Sequence, residues 1–260
     1  MNFEGYQSIF GASEAQLQSL DPARAHQAFR EEIDGQHPFH FATAVGAQMD
    51  GPDFEALGIA VATNPRLCVD YLERKKSTRG YVDLTRYRPC DVVDSRHIMM
   101  STIIFNTLGR NVGNIVEIGG GFGNWLRLNE TVIDFQKWSI IDMPFVTDLQ
   151  RWYLSEELQE PNKLELVPLN KYPIWNAQCY EHDLVLGAHS LSEFAWPVFL
   201  DYFESVLTKS KFVFYATHLR LPSPELVEMK LKKIETRFER IQTVPSEGGA
   251  VANILYRRLP

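Results

Sequence analysis

Four glycines within five positions, Gly119, Gly120, Gly121 and Gly123, interrupt an apolar run in the segment IVEIGGGFGN at residues 115 to 124. Ile115 to Ile118 is β-branched on both sides of a single carboxylate, Glu117, which is the pattern of a buried parallel strand. Without a Cβ the backbone at these glycines is free to take positive φ and to let a ligand lie directly on it. Asn124 is placed to cap a helix beginning there. A strand, tight turn and helix of this kind predicts an α/β chain that holds a small molecule.

Spacing narrows the ligand. A dinucleotide fingerprint needs a third glycine or alanine three residues after the second, and counting from Gly119 and Gly121 that position is Asn124. NAD binding is therefore not expected. The chain instead reads E-x-G-x-G-x-G, and a second acidic residue, Asp142, closes the next apolar run in WSIIDMP. An ionised carboxylate carries only acceptors, so at the tip of a second parallel strand it can take both hydrogen bonds of a ribose diol. This combination resembles the S-adenosylmethionine site of class I methyltransferases. The competing reading is a glycine turn that only packs strand on helix.

The 260 residues are enough to bury a substantial core as one large α/β domain or a domain with an extension. Cys68, Cys90 and Cys179 are far apart and form no C-x-x-C pair, so neither a zinc site nor a disulfide framework is expected. The N-terminus has no basic, apolar leader and no stretch is long enough to span a bilayer, which reads as a cytoplasmic protein without a membrane partner. A formal net charge of −7 disfavours nucleic acid. The basic and aromatic stretch from Arg74 to Arg88 is read as a solvated helix end and loop.

In chain order, residues 1 to 110 read as a helical extension and 111 to 260 as the cofactor-binding domain. Ser13 with Gln16, Asp21-Pro22 and Asn64-Pro65 mark helix starts, and Asp94 is expected to cap a buried helix that Gly109 stops. His37 and His40 fall in an irregular segment and carry no metal reading. Strands and helices then alternate. Pro144 opens a helix, Leu164 to Val167 and Leu184 to Ala188 are strands, and Pro168 and Pro173 disfavour a full crossover helix between them. A helix follows at 197 to 207, then a strand at Phe212 to Ala216. Val227, Leu231, Ile234, Phe238 and Ile241 read as one helical stripe, with Glu228 and Lys232 paired outside. A last hairpin runs through SEGG. Seven strands ending in a hairpin are what the class I resemblance implies: a Rossmann-like, mostly parallel sheet with helices on both faces.

VEIGGGFG, SIIDMPF, HDLVLGAHSLSEF and FVFYATH together resemble the bacterial sugar O-methyltransferases over about residues 94 to 218. The resemblance implies that Glu117, Gly119, Gly120, Gly121 and Gly123 hold the methionine and ribose part of S-adenosylmethionine, Asp142 the ribose hydroxyls, with Met143 and Asn170 near the adenine and Ala188 facing the methyl group. After the fourth strand the chain reads His189, Ser190, Leu191, Ser192, Glu193, without the N/D-P-P-Y/F of base amino methylation or the paired glutamates of arginine methylation. An alcohol loses its proton as it attacks a sulfonium methyl, and a histidine of near-neutral pKa can take it. His189 is the expected base, Glu193 an orienting or hydroxyl-binding group, and His218 a second candidate. His97 is expected to be structural and Arg96 a salt-bridging residue. The function expected is methylation of a hydroxyl on a sugar or similar small molecule. The alternatives are a carboxyl methyltransferase and a cofactor-binding sensor without catalysis. The N-terminal helices are expected to supply substrate contacts or a homodimer surface.

Overall fold

A computed structural model of the chain describes residues 53–72, 92–172, 175–176, 181–220 and 223–260, apart from the side chains of Phe145 and Glu156. The helix starts expected near Ser13 and Asp21, the segment containing His37 and His40, the basic stretch from Arg74 to Arg88, and Cys90 and Cys179 lie outside these residues.

Among the described residues, three helices precede the sheet. Helix α1 (Phe54–Thr63) is capped by Asp53, whose side chain accepts from Ala56 N at 3.0 Å. Helix α2 (Pro65–Leu72) starts as expected, with Leu67 N donating to Asn64 Oδ1 at 3.0 Å, and buries Leu67, Cys68 and Tyr71. Helix α3 (Val92–Leu108) ends where Gly109 takes φ +80°. Asp94 lies inside the first turn of α3, where its Oδ1 accepts from Arg127 and from Asn124, at 2.9 and 2.8 Å.

Strand β1 (Asn111–Ile118) leads through the glycine turn into a short helix α4 (Asn124–Asn129). There follow β2 (Asp134–Asp142), α5 (Pro144–Glu157), β3 (Leu164–Pro168) and β4 (His182–Ala188). Then come α6 (Ser190–Glu193), α7 (Trp196–Ser205), β5 (Ser210–His218), α8 (Pro224–Glu235), β6 (Phe238–Ser246) and β7 (Val251–Arg258). Between β3 and β4, Tyr172, Trp175 and Asn176 are helical. The seven strands form one sheet in the order β3-β2-β1-β4-β5-β7-β6. All pairings are parallel except those of β7 with β5 and β6.

Alternation along the strands sends side chains into two cores. Ile115, Trp138, Leu184, Leu186 and Phe214 pack with α1 to α5, whereas Val116, Ile118, Val185, Val213 and Ile254 pack with α7 and α8. Three local expectations are corrected. Asp94, expected to cap α3, lies inside its first turn. Asn124 does not cap α4: Gly123, at φ +94°, is the cap residue, and Asn124 is buried within the first turn. The helical stripe does not extend to Phe238 and Ile241, because α8 stops at Glu235 and both residues belong to β6. The Glu228–Lys232 pair forms as expected, at 2.6 Å.

Candidate active site

The direction of chain crossover reverses at β1, whose neighbours are β2 on one side and β4 on the other. Ligands of open parallel sheets bind beyond the carboxyl ends of the strands at such a point. The glycine turn, Asp142, and the turn after β4 therefore converge there by topology. Gly119 N donates to Ile141 O at 2.9 Å, which ties the start of the glycine turn to the end of β2. Ser190 Oγ donates to Ile118 O, tying the turn after β4 to the end of β1.

The glycines are required largely by the protein's own packing. A Cβ on Gly119, at φ +72°, would lie 2.6 Å from Ser190 Cβ, and one on Gly123 2.7 Å from Leu154 Cδ1. Gly120 abuts Ile140 in the same way, at 2.6 Å from Cγ2. The strand-to-helix packing reading thus explains three of the four. Gly121, at φ +56° and half-buried, and Gly119, exposed, leave backbone open at the crevice.

Two buried carboxyl groups flank this turn. Glu117 Oε2 accepts from Trp138 Nε1 at 2.8 Å, and burial pushes the Glu117 carboxyl up to about 8 despite that bond, with Asp142 adding a smaller push. Asp142 Oδ1 accepts from Met143 N at 2.8 Å and Oδ2 from Gln150 Nε2 at 3.0 Å. Burial raises Asp142 to about 7, opposed by those two bonds and by the backbone amides of Gly120 and Gly121. Gln150 also donates to Gly121 O at 2.8 Å, while its own Oε1 is buried without a partner. An orphaned acceptor beside a carboxylate is a fit for a hydroxyl or amine donor of a bound ribosyl ligand. Sequence reasoning passed over Gln150. Its only signal was a polar residue among the inward positions Val146, Leu149 and Tyr153 of α5.

Met143 and Ala188 are half-buried at the ends of β2 and β4. Asn170 is exposed in the turn after β3, one residue beyond Leu169, whose amide donates to Asp142 O at 2.9 Å.

His189 follows β4 with φ 63° and ψ −43°, outside the wells ordinary residues occupy. Its carbonyl accepts from Ser192 N at 2.9 Å, from Glu193 N at 3.1 Å and from Ser192 Oγ at 2.5 Å, which stabilises the strained turn. Its ring faces His218, the last residue of β5, with centroids 5.0 Å apart, and its Nδ1 is buried without a hydrogen-bond partner. Burial, then the nearby His218 and Arg96, lowers the imidazole to about 4 rather than the near-neutral value expected from sequence. At neutral pH the ring is uncharged.

His189 lines a small cleft, partly open to solvent, with Asp53, Ala56, Arg96, Met99, Met100, Ser246, Glu247 and Asn253. Arg96 bridges its two sides, at 3.2 Å from Asp53 Oδ2 and 3.0 Å from Glu247 Oε1. Among the described residues, the non-glycine positions with positive φ are His189 and Glu247, and both line this pocket. Strain of this kind collects at functional sites because it persists only where the surroundings enforce it. Asp53, Ser246, Glu247 and Asn253 were not anticipated, since they lie far from the glycine motif in sequence.

His97 stacks on Trp125 at 5.4 Å and contacts Asn124 Nδ2 through Nδ1 at 3.2 Å, which is the structural role expected of it. Burial and the adjacent Arg127 lower it to about 3. Glu193 is half-buried and raised to about 7 by burial, with Lys230 opposing the rise. Its charged neighbour is thus Lys230 rather than His189. Among the described residues no group of three or more His, Cys, Asp or Glu could hold a metal, and no helix is long and apolar enough to cross a membrane.

The fold is that of the class I S-adenosylmethionine-dependent methyltransferases. The chain is similar to the N-methyltransferase NodS from Bradyrhizobium japonicum WM9, solved with S-adenosyl-L-homocysteine, with a TM-score of 0.51 and 12% identity over 76% of this chain and 99% of that one. It also aligns with the mitomycin 7-O-methyltransferase MmcR, at a TM-score of 0.45 and 14% identity over 96% of this chain and 76% of that one. No protein-family model matches the sequence, and no curated protein does.

Proposed function

We propose that this protein transfers a methyl group from S-adenosylmethionine to a hydroxyl of a neutral, sugar-like small molecule. The observation that carries the reading is His189: an uncharged imidazole one residue past β4, with Nδ1 unpartnered and the ring lining a small cleft that also holds Asp53, Arg96 and Glu247. The cofactor reading is supported by Asp142 and the orphaned Gln150 Oε1 beside the open backbone of Gly121. When bound, S-adenosylmethionine supplies an electrophilic methyl on a sulfonium.

Asp142 would accept from the ribose diol, with Gln150 turning its free oxygen toward a ligand donor. The turn from Gly119 to Gly123 would lie against the methionine and ribose part, and Met143 would border the adenine. Nδ1 of His189 would accept the acceptor's proton as the oxygen becomes alkylated and strongly acidic. A base lowered to about 4 is weak, but it is unprotonated throughout the neutral range, and the proton it receives is an oxonium proton. Glu193, facing Lys230, would act by supporting the turn.

Charge favours a neutral acceptor. Asp53 and Glu247 stand against the single guanidinium of Arg96 in the pocket lining, so a carboxylate or phosphate entering there meets net repulsion. That argues against carboxyl methylation. Incubation of the purified protein and S-adenosylmethionine with paired neutral and carboxylated polyols, read by mass spectrometry, tests this. A gain of about 14 Da, one CH₂, is expected on neutral polyols alone; a gain confined to carboxylated compounds would overturn the hydroxyl reading.

A further inference from the structure

Lys230 lies on α8, on the opposite core from Glu117, and is completely buried. A lysine is almost never fully buried unless its ammonium is paired. Here Nζ donates to three main-chain carbonyls of one turn: Ser192 O at 2.6 Å, Phe194 O at 2.5 Å and Leu191 O at 3.2 Å. It also stands 5.5 Å from the centre of the Phe199 ring. These three carbonyls sit at the end of the four-residue helix α6, where carbonyls have no partners further along the helix. The turn they belong to begins at His189. Ser192 and Glu193 donate from their amides to His189 O, and Ser192 adds its hydroxyl.

A continuous chain of bonds therefore runs from Lys230 Nζ through Ser192 to the main chain of His189, whose φ and ψ are unfavourable for a residue with a side chain. The amide of His189 donates to Ala216 O of β5 at 3.1 Å, so the sheet fixes the entry to the turn, and the bonds to its carbonyl and the Lys230 ammonium fix the remainder. We infer that Lys230 is a positioning residue: it fixes the turn after β4 from the far side of the sheet and so keeps the His189 imidazole facing the pocket. An ammonium suits this task because its three donors match three carbonyls around one point. Glu193 is the nearby acidic group, and its attraction opposes the lowering of the Lys230 ammonium by burial. The inference rests on the proposed role of His189 only for its effect on turnover.

The test uses Lys230→Met, which keeps the apolar stem and removes the donors. The readout is the titration of the His189 imidazole by NMR, the ring being surrounded by His218 and Arg96, with Asp53 and Glu247 across the pocket. The midpoint is expected to rise toward the ordinary value of about 6.5 as the turn relaxes and the ring gains solvent. Turnover is expected to fall about tenfold or more with binding of S-adenosylhomocysteine unchanged. An unmoved midpoint in the folded variant overturns the inference. A moved midpoint with wild-type turnover would leave the positioning intact and remove His189 as the base. Should Lys230→Met not fold, Lys230→Gln, which keeps a neutral donor but cannot reach three carbonyls around one point, is titrated in its place. An unmoved His189 midpoint there also overturns the inference.

Discussion

Gln150 donates to Asp142 Oδ2 at 3.0 Å while leaving its own oxygen buried and unpaired, so the group that secures the carboxylate is itself incompletely satisfied. A buried acceptor without a partner is destabilising by about 1 to 3 kcal/mol, and a ligand that supplies the donor recovers that energy. Gln150→Ala is therefore expected to weaken S-adenosylhomocysteine binding by about tenfold in calorimetric titration, with NAD bound by neither protein. Unchanged affinity would show that the oxygen does not meet the ligand.

At Gly123 a positive φ and a crowded Cβ position both oppose replacement. Its φ of +94° strains any side chain, and a Cβ there would lie 2.7 Å from Leu154 Cδ1 and 3.0 Å from Cγ. Gly123→Ala is expected to destabilise the fold by about 1 to 3 kcal/mol, read as a lower urea midpoint. A midpoint equal to that of the wild type would mean that the turn is not packed as described.

Stability should fall as the solution becomes alkaline, because burial favours the neutral form of Glu117. Its folded pKa of about 8 lies above the ordinary carboxyl value, so the unfolded chain releases the proton first. The contribution is complete below about pH 4, the ordinary range, and is lost as pH rises through 8. Asp142, raised to about 7, has the same sign. Urea midpoints between pH 6 and 9 should decline in the wild type and decline less in Glu117→Gln; parallel declines would contradict the assignment.

The sequence made the frame of this site readable because each part is a local pattern. The β-branched run around Glu117, the glycine spacing and the Ile-Ile-Asp strand end each lie within ten residues, and they place Glu117 and Asp142 on adjacent strands, as found. The helix after Pro144 and the closing hairpin were readable for the same reason. The pocket was not, since Asp53, Arg96, Glu247 and Asn253 come from α1, α3 and the β6–β7 hairpin, which meet only through tertiary packing. Lys230 was hidden differently. The helical period places it beside Val227 and Ile234 on the apolar stripe, where a lysine reads as an edge residue reaching out to water, and the carbonyls that receive it belong to a turn 36 to 39 residues earlier. The stripe that ran past Glu235 failed because Phe238 and Ile241 fit a helical period by chance while the chain had already turned into β6.

The central claim is that His189 takes the proton during methyl transfer, and a single comparison tests it most directly. His189→Asn keeps a residue that tolerates positive φ and removes the imidazole. Initial rates on an accepted hydroxyl compound, at saturating S-adenosylmethionine, are measured in parallel with S-adenosylhomocysteine affinity. The account predicts a rate lower by about a hundredfold to ten-thousandfold with affinity nearly unchanged. For the wild type it predicts activity held down to about pH 5, because the ring protonates only near 4. Wild-type rates in His189→Asn, or a wild-type acid limb centred at the ordinary histidine value of about 6.5, would contradict it.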